Sequence, residues 1–175
     1  EVEAIILNAK TQRPGVCNAV ETLLVLENAV EGHLPRILQT LQNHGVTLHL
    51  CNQSATVARD LGLQGFHIAD DQAFAEEYLG LELAIKVVAD LDEAIAHIER
   101  FGSRHTEALL TDQYAQSQRS LEGVASPVVL LNASTRFSDG GQLGLGAEIG
   151  ISTTRMHAYG PMGLKELTTT KFVVL

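Results

Sequence analysis

Thr22-Leu23-Leu24-Val25-Leu26, residues 22–26, is apolar at almost every position. A strand with one face in water alternates apolar and polar residues. A strand covered on both faces reads as a continuous apolar run, as in a parallel sheet flanked by helices. Residues 4–7, 46–50, 83–88, 107–110 and 127–131 read the same way. Helical signals fall between these runs. Leu34, Ile37, Leu38 and Leu41 have the spacing of one helix face, and Gly45 is placed to end that helix. Ser54 is expected to cap a helix carrying Val57, Ala58 and Leu61, closed by Gly62. Asp90-Leu91-Asp92-Glu93 resembles a capping box before the stripe Leu91, Ala94, Ile95 and Ile98, with Gly102 after it. Thr111 or Asp112 is expected to cap a helix reaching about Leu121. Strand–helix alternation predicts an α/β fold, three-layer, with a largely parallel sheet.

Upstream of residue 22 lies Thr11-Gln12-Arg13-Pro14-Gly15-Val16-Cys17-Asn18-Ala19. Pro14 and Gly15 break regular structure, so Cys17 falls in a bend between the strands expected at 4–7 and 22–26, near the start of a short helical turn. Backbone N–H groups at such a start, with Arg13 nearby, are expected to lower the thiol pKa. A thiolate on a loop at a strand end suits a covalent nucleophile. An inert, buried cysteine is the plain alternative. Cys51, at the end of the run 46–50, reads as a core residue.

Three further stretches carry polar chemistry. Glu76-Glu77-Tyr78-Leu79-Gly80-Leu81 reads as an acidic helix end leading into a strand. Val128-Val129-Leu130-Leu131 delivers Asn132, Ser134, Thr135 and Arg136 just past a strand's carboxyl end, where open α/β sheets place ligands. Arg136 offers a planar cation for carboxylate or phosphate, and a hydrogen-bonded turn is the plain alternative. Gly144-Leu145-Gly146-Ala147-Glu148-Ile149-Gly150 is not a dinucleotide fingerprint: its third glycine comes one position late and no βαβ unit follows. Its glycines suit tight turns. Residues 156–164 read as an irregular arm, and Leu167–Leu175 has strong strand propensity.

The chain has 175 residues, 45% of them hydrophobic, and a net charge of −9. This suits a globular domain and argues against a nucleic-acid binder. No apolar run approaches the roughly 20 residues needed to cross a bilayer. Two cysteines make no disulfide framework, so the expected compartment is the reducing cytoplasm. The seven histidines show no metal-ligand spacing, and no metal site is expected. Strand-like sequence at both ends is expected of a piece of a longer protein.

Asn8-Ala9-Lys10-Thr11-Gln12-Arg13-Pro14-Gly15-Val16-Cys17-Asn18-Ala19-Val20-Glu21-Thr22-Leu23-Leu24-Val25 resembles the cysteine segment of the γ-glutamyl phosphate reductases, a branch of the aldehyde dehydrogenase superfamily. The segments 132–141 and 144–153 resemble that family too, and the likeness runs over nearly the whole chain, as its C-terminal catalytic part. The resemblance implies NADPH-dependent reduction of L-glutamate 5-phosphate to the 5-semialdehyde, in proline biosynthesis, through a thioester on Cys17. It implies that Arg13, Asn18, Asn132, Ser134, Thr135 and Arg136 border the substrate. Glu77, in Glu-Tyr-Leu-Gly order, matches the superfamily's contact to the nicotinamide ribose, although the following position, commonly Pro, is Leu81. NADP(H) is then bound mainly by an N-terminal domain that this chain lacks, and the chain alone is not expected to oxidise NADPH. Residues 1–131 are expected to form the catalytic domain. Residues 132–175 are expected to form a substrate-pocket loop and a C-terminal oligomerisation arm that joins a second subunit. The parent is either a stand-alone reductase or a fusion with a glutamate kinase. Two other functions compete: a cysteine hydrolase or acyltransferase, which needs a histidine near Cys17, and a non-catalytic assembly module.

Overall fold

The computed structural model describes residues 1–151 and 158–175. Its elements are α1 (Val2–Thr11), β1 (Thr22–Leu26), α2 (Val30–Asn43), β2 (Thr47–Leu50), α3 (Asn52–Asp60), β3 (His67–Ile68) and α4 (Asp71–Ala75). They continue with β4 (Glu82–Val88), α5 (Leu91–Phe101), β5 (Thr106–Leu109), α6 (Tyr114–Gly123), β6 (Val128–Leu131), β7 (Ile149–Ile151) and β8 (Gly160–Met162). The strands β1, β4, β2 and β3 form one parallel sheet in that order, with Thr22 beside Ala84 and Leu48 beside Leu83. The strands β5 and β6 pair in parallel apart from it, Thr106 beside Val128. The strands β7 and β8 form an antiparallel pair, Gly150 opposite Pro161.

Alternation along β4 builds the layers. Leu83, Ile85 and Val87 point into a core shared with Ile6 of α1, Leu34, Ile37, Leu38 and Leu41 of α2, and Ala55 and Ala58 of α3. Ala84 faces the other way, toward Phe74 of α4, Tyr78 and Phe101 of α5. Helices therefore cover both faces of the sheet, which is why its central strand reads as an unbroken apolar run. Each fully buried leucine of α2 contributes roughly 1.5–3 kcal/mol.

Several expectations are corrected. The run 4–7 is helix, not strand: Ile6, Ala9 and Lys10 are buried at i, i+3 and i+4, and the element runs for 10 residues. The cap of α3 is Cys51, and Ser54 lies inside the helix, its hydroxyl donating to the carbonyls of Cys51 and Ile85. The cap of α6 is Gln113, with Thr111 Oγ1 accepting the Gln113 N–H. In the arm, residues 160–162 pair with β7, while Met156 and His157 lie outside the described residues. Residues 167–175 pair with no described strand of this chain and are exposed, which leaves their expected joining of a second subunit untouched. The capping by Asp90 is as expected, its carboxylate accepting the Glu93 N–H at 2.9 Å. Gly45 and Gly62 end their helices at φ 75° and 70°.

Candidate active site

The loop between α1 and β1 carries Cys17, and its two ends are tied together. The Val20 N–H donates to the Ala9 carbonyl at 3.1 Å. Lys10, fully buried, pairs with Glu21 at 2.9 Å and reaches the Tyr78 carbonyl at 3.4 Å. The Tyr78 N–H donates to the same Glu21 carboxylate at 3.2 Å. One ion pair thus joins the neck of the cysteine loop to the segment holding Glu77. The loop also lies flat on that segment: a Cβ on Gly15 would stand 3.3 Å from the Leu79 carbonyl oxygen.

At the loop tip, a tight turn closed by Ala19 N–H to the Val16 carbonyl displays Cys17. The next residue, Asn18, is buried and donates to the Ser138 carbonyl at 2.6 Å. Arg136 donates to Asn18 Oδ1 and, at 3.0 Å, to Gln12 Oε1. Thr135–Phe137 is a short 3₁₀ turn capped by Ser134, whose hydroxyl accepts the Arg136 N–H. This turn folds the chain back from the end of β6, so that Ser138 meets the start of β5. Thr106 Oγ1 donates to Ser138 Oγ at 2.6 Å, and His105 Nδ1 lies 2.8 Å from Thr106 Oγ1. Cys17, Glu77, His97, His105, Ser134 and Thr135 line one cleft of about 440 Å³, whose walls include β1 and β5.

The site therefore stands at the amino ends of β1, β4 and β5, not past the carboxyl end of β6. Asn132 remains at that carboxyl end. It adopts φ 52°, and its side-chain amide accepts from the Thr111 N–H and donates to the Thr111 carbonyl. Asn18 and Arg136 are brought together beside Cys17, and Ser134 and Thr135 enter the cleft wall. Arg13 is exposed and makes no hydrogen bond or ion pair among the described residues. Gly144 and Gly146 take φ 74° and 72°, as tight turns require.

Electrostatics around the sulfur differ from the expectation. Burial pushes the Cys17 thiol pKa up, and the charges of Glu148 and Glu77 add to this, against a backbone hydrogen bond to the sulfur and the pull of Arg136. Residues 14–19 form turns rather than a helix, so no helix start supports a thiolate there. The opposite holds at Cys51. Burial there raises the pKa, but the Ser54 hydroxyl beside the sulfur and the N–H groups of Ser54, Val87 and Gln53 outweigh it and hold the thiol below its usual value. His97 sits in the cleft between Phe74 and Phe101, and burial brings its pKa down to about 4.

Sequence reading missed His105, Gln12, Ser138 and Glu148. None has a spacing signal; only the return of the chain through the 3₁₀ turn unites them. His105 stands one residue before a strand, and a search for metal-ligand spacing passes over such a lone histidine.

Similarity to known proteins covers the same ground. No family model matches the chain. A γ-glutamyl phosphate reductase from Geotalea daltonii is 57% identical over 172 residues, 98% of this chain and 40% of that protein. The crystal structure of γ-glutamyl phosphate reductase from Thermotoga maritima superposes with a TM-score of 0.90 at 48% identity, covering 99% of this chain and 41% of the other. An acetylating aldehyde dehydrogenase from Geobacillus thermoglucosidasius, 17% identical, shares the fold at a TM-score of 0.55 over 87% of this chain and 40% of its own. The chain thus spans about 40% of the length of the curated relatives it matches. Over the segment they share, the chain is similar in sequence and in fold to the γ-glutamyl phosphate reductases, and it has the aldehyde dehydrogenase fold.

Proposed function

We propose that this chain is the cysteine-bearing portion of a reductase that converts L-glutamate 5-phosphate to L-glutamate 5-semialdehyde and phosphate in proline biosynthesis. The observation that carries the reading is the placement of Cys17. It stands at the tip of a pinned loop, beside the Arg136–Asn18 pair and open to a cleft, in a chain 57% identical to a γ-glutamyl phosphate reductase.

An acyl phosphate needs a strong, soft nucleophile that can later leave, and a thiolate meets both needs. Cys17 attacks the acyl carbon, phosphate departs with the C–O electron pair, and a thioester remains. The Cys17 backbone N–H is a candidate donor to the tetrahedral oxyanion; removing one such donor costs about 10²–10³ in rate. Arg136 is the better-placed cation for the substrate's phosphate or carboxylate, with Asn18 orienting it. Ser134 and Thr135 supply neutral groups at the wall. Arg13 is assigned to the outer rim of the substrate; Asn132, held by Thr111 at the carboxyl end of β6, lies away from it.

NADPH supplies the hydride for the reduction when it is bound. The described residues fit it in part: the exposed Glu77 carboxylate, close enough for its charge to act on the Cys17 sulfur, suits a ribose contact. No glycine-rich strand–turn–helix fingerprint occurs in the sequence, so most of the cofactor's contacts are assigned to the part of the longer protein that this chain does not span. The exposed apolar tail supports docking on a second copy of the enzyme: Phe172 is 92% and Val174 96% exposed. A glutamate kinase, separate or fused, is the natural source of the unstable acyl phosphate. No helix among the described residues is long and apolar enough to cross a membrane, and a reducing cytoplasm is the compartment that keeps Cys17 free.

The test is acyl-enzyme formation. Incubation with acetyl phosphate, a simple acyl phosphate, should add one acetyl group to Cys17, removable by hydroxylamine and located by peptide mass spectrometry. Cys17→Ser should abolish the adduct. An equal adduct in that variant refutes the reading. The presence of His105 near Cys17 favours one second reading, a cysteine hydrolase. Rapid turnover of a neutral activated ester, with no nicotinamide dependence in the complete enzyme, selects it.

A further inference from the structure

His105 is 2% exposed, and its Nε2 has no hydrogen-bond partner among the described residues. Leaving a buried polar atom unpaired costs roughly 1–3 kcal/mol, so such an atom calls for an explanation. The ring's other nitrogen fixes the tautomer. Thr106 Oγ1 gives its own proton to Ser138 Oγ, so it accepts from Nδ1–H of His105. Nε2 is left with a bare lone pair. Gly150 shows where that lone pair is needed. A Cβ there would stand 3.3 Å from His105 Nε2 and 3.7 Å from Cys17 Sγ. The two atoms face one point, and the absence of a side chain on Gly150 keeps it open. Pairing of β7 with β8 holds Gly150 there.

We propose that His105 is the proton acceptor for Cys17, working across the open point above Gly150; this rests on reading Cys17 as the acyl-accepting nucleophile. The S–H bond breaks and its proton moves to Nε2, directly or through one water. The sulfur keeps the electron pair and forms the bond to the acyl carbon. The imidazolium proton then passes to the departing phosphate, which leaves as hydrogen phosphate, and His105 is neutral again. After reduction the sulfur leaves as thiolate and is reprotonated from water. The charges facing the pair explain why a base is required. Burial, Glu148 and Glu77 oppose an unassisted thiolate, against a backbone hydrogen bond and Arg136; burial lowers the His105 pKa, and Glu148 works the other way, toward its imidazolium form.

The test uses the full chain and needs neither cofactor nor substrate. The rate of Cys17 alkylation by iodoacetamide is followed from pH 5 to 10, with peptide mapping to separate it from Cys51. The wild-type profile should show an inflection below 6.5, from the imidazole. His105→Asn should lose that inflection and react at least tenfold more slowly at pH 7. Gly150→Ala retains the imidazole but fills the shared point, and should slow the reaction in the same way. A folded His105→Asn with the wild-type profile overturns the proposal. Should that variant not fold, an unchanged profile in Gly150→Ala overturns it instead. A His105-dependent profile without any adduct from acetyl phosphate keeps this inference and removes the acyl-transfer reading. An adduct together with an unchanged His105→Asn profile does the reverse.

Discussion

Lys10 has no exposed surface, yet it carries a charge. Its ammonium is matched by Glu21 and by the Tyr78 carbonyl, so its burial is paired rather than wasted. Lys10→Met keeps the packing volume and leaves Glu21 without its partner. Because the Glu21 side chain is 25% exposed and can rehydrate, the loss should be near the low end for breaking a buried pair, about 3 kcal/mol. Urea denaturation would read it as a lower midpoint with an unchanged slope. Glu107 tests the opposite case. Burial raises its carboxyl pKa to about 7, with Ser126 as its hydrogen-bond partner among the described residues. A folded pKa above the unfolded one means that the native state holds the proton more tightly. Its contribution is full below about 4.5 and is lost as pH rises through 7. Glu107→Gln should therefore raise the melting temperature at pH 8, by an amount reflecting about 1–3 kcal/mol, and change it little at pH 4.

Strands and helices divide cleanly into what the residues announced and what they hid. The continuous runs at 22–26, 46–50 and 83–88 became β1, β2 and β4 because both faces of the sheet are covered. The stripe of α2 and the capping aspartate of α5 were legible for local reasons: period and hydrogen bonding. The run 4–7 was not, because four apolar residues fit a strand or one helical turn equally well. What settles it is Lys10, a charged residue whose burial beside Ile6 and Ala9 depends on a partner 11 residues away. The cysteine loop was legible through its Pro-Gly break, and its thiol chemistry was not. That chemistry depends on Glu148, His105 and Arg136, which arrive from three distant segments. Asn132 shows the same limit, since nothing local says that both ends of its amide go to Thr111.

The described chain has a site whose parts converge, but it spans about 40% of its curated relatives. Its cleft is lined by Cys17, Glu77 and the imidazoles of His97 and His105, with the Arg136–Asn18 pair beside Cys17. The isolated chain should therefore form the acetyl adduct on Cys17 while oxidising no NADPH above background, followed at 340 nm. Adding glutamate 5-semialdehyde, NADP⁺ and phosphate should likewise give no reverse reaction. Steady turnover in either direction would show that the cofactor site lies within these 175 residues.

The position of the site at the amino ends of parallel strands has an electrical consequence. The helices α1 and α5 run toward it and stop beside it: Thr11 ends the first just before the cysteine loop, and Phe101 ends the second just before His105. A helix terminates in unpaired carbonyls and a pole of about −0.5 charge. Most nucleotide-binding sheets turn their positive poles toward an anionic ligand; this site receives negative ones, with Glu77 and Glu148 added. An anionic reagent should feel that field and a neutral one should not. Iodoacetate should alkylate Cys17 more slowly than iodoacetamide, the gap should narrow as salt screens it, and Arg136→Gln should widen it. A phosphorylated ligand here would meet the Arg136 guanidinium in a corner of the fold whose other charges repel it.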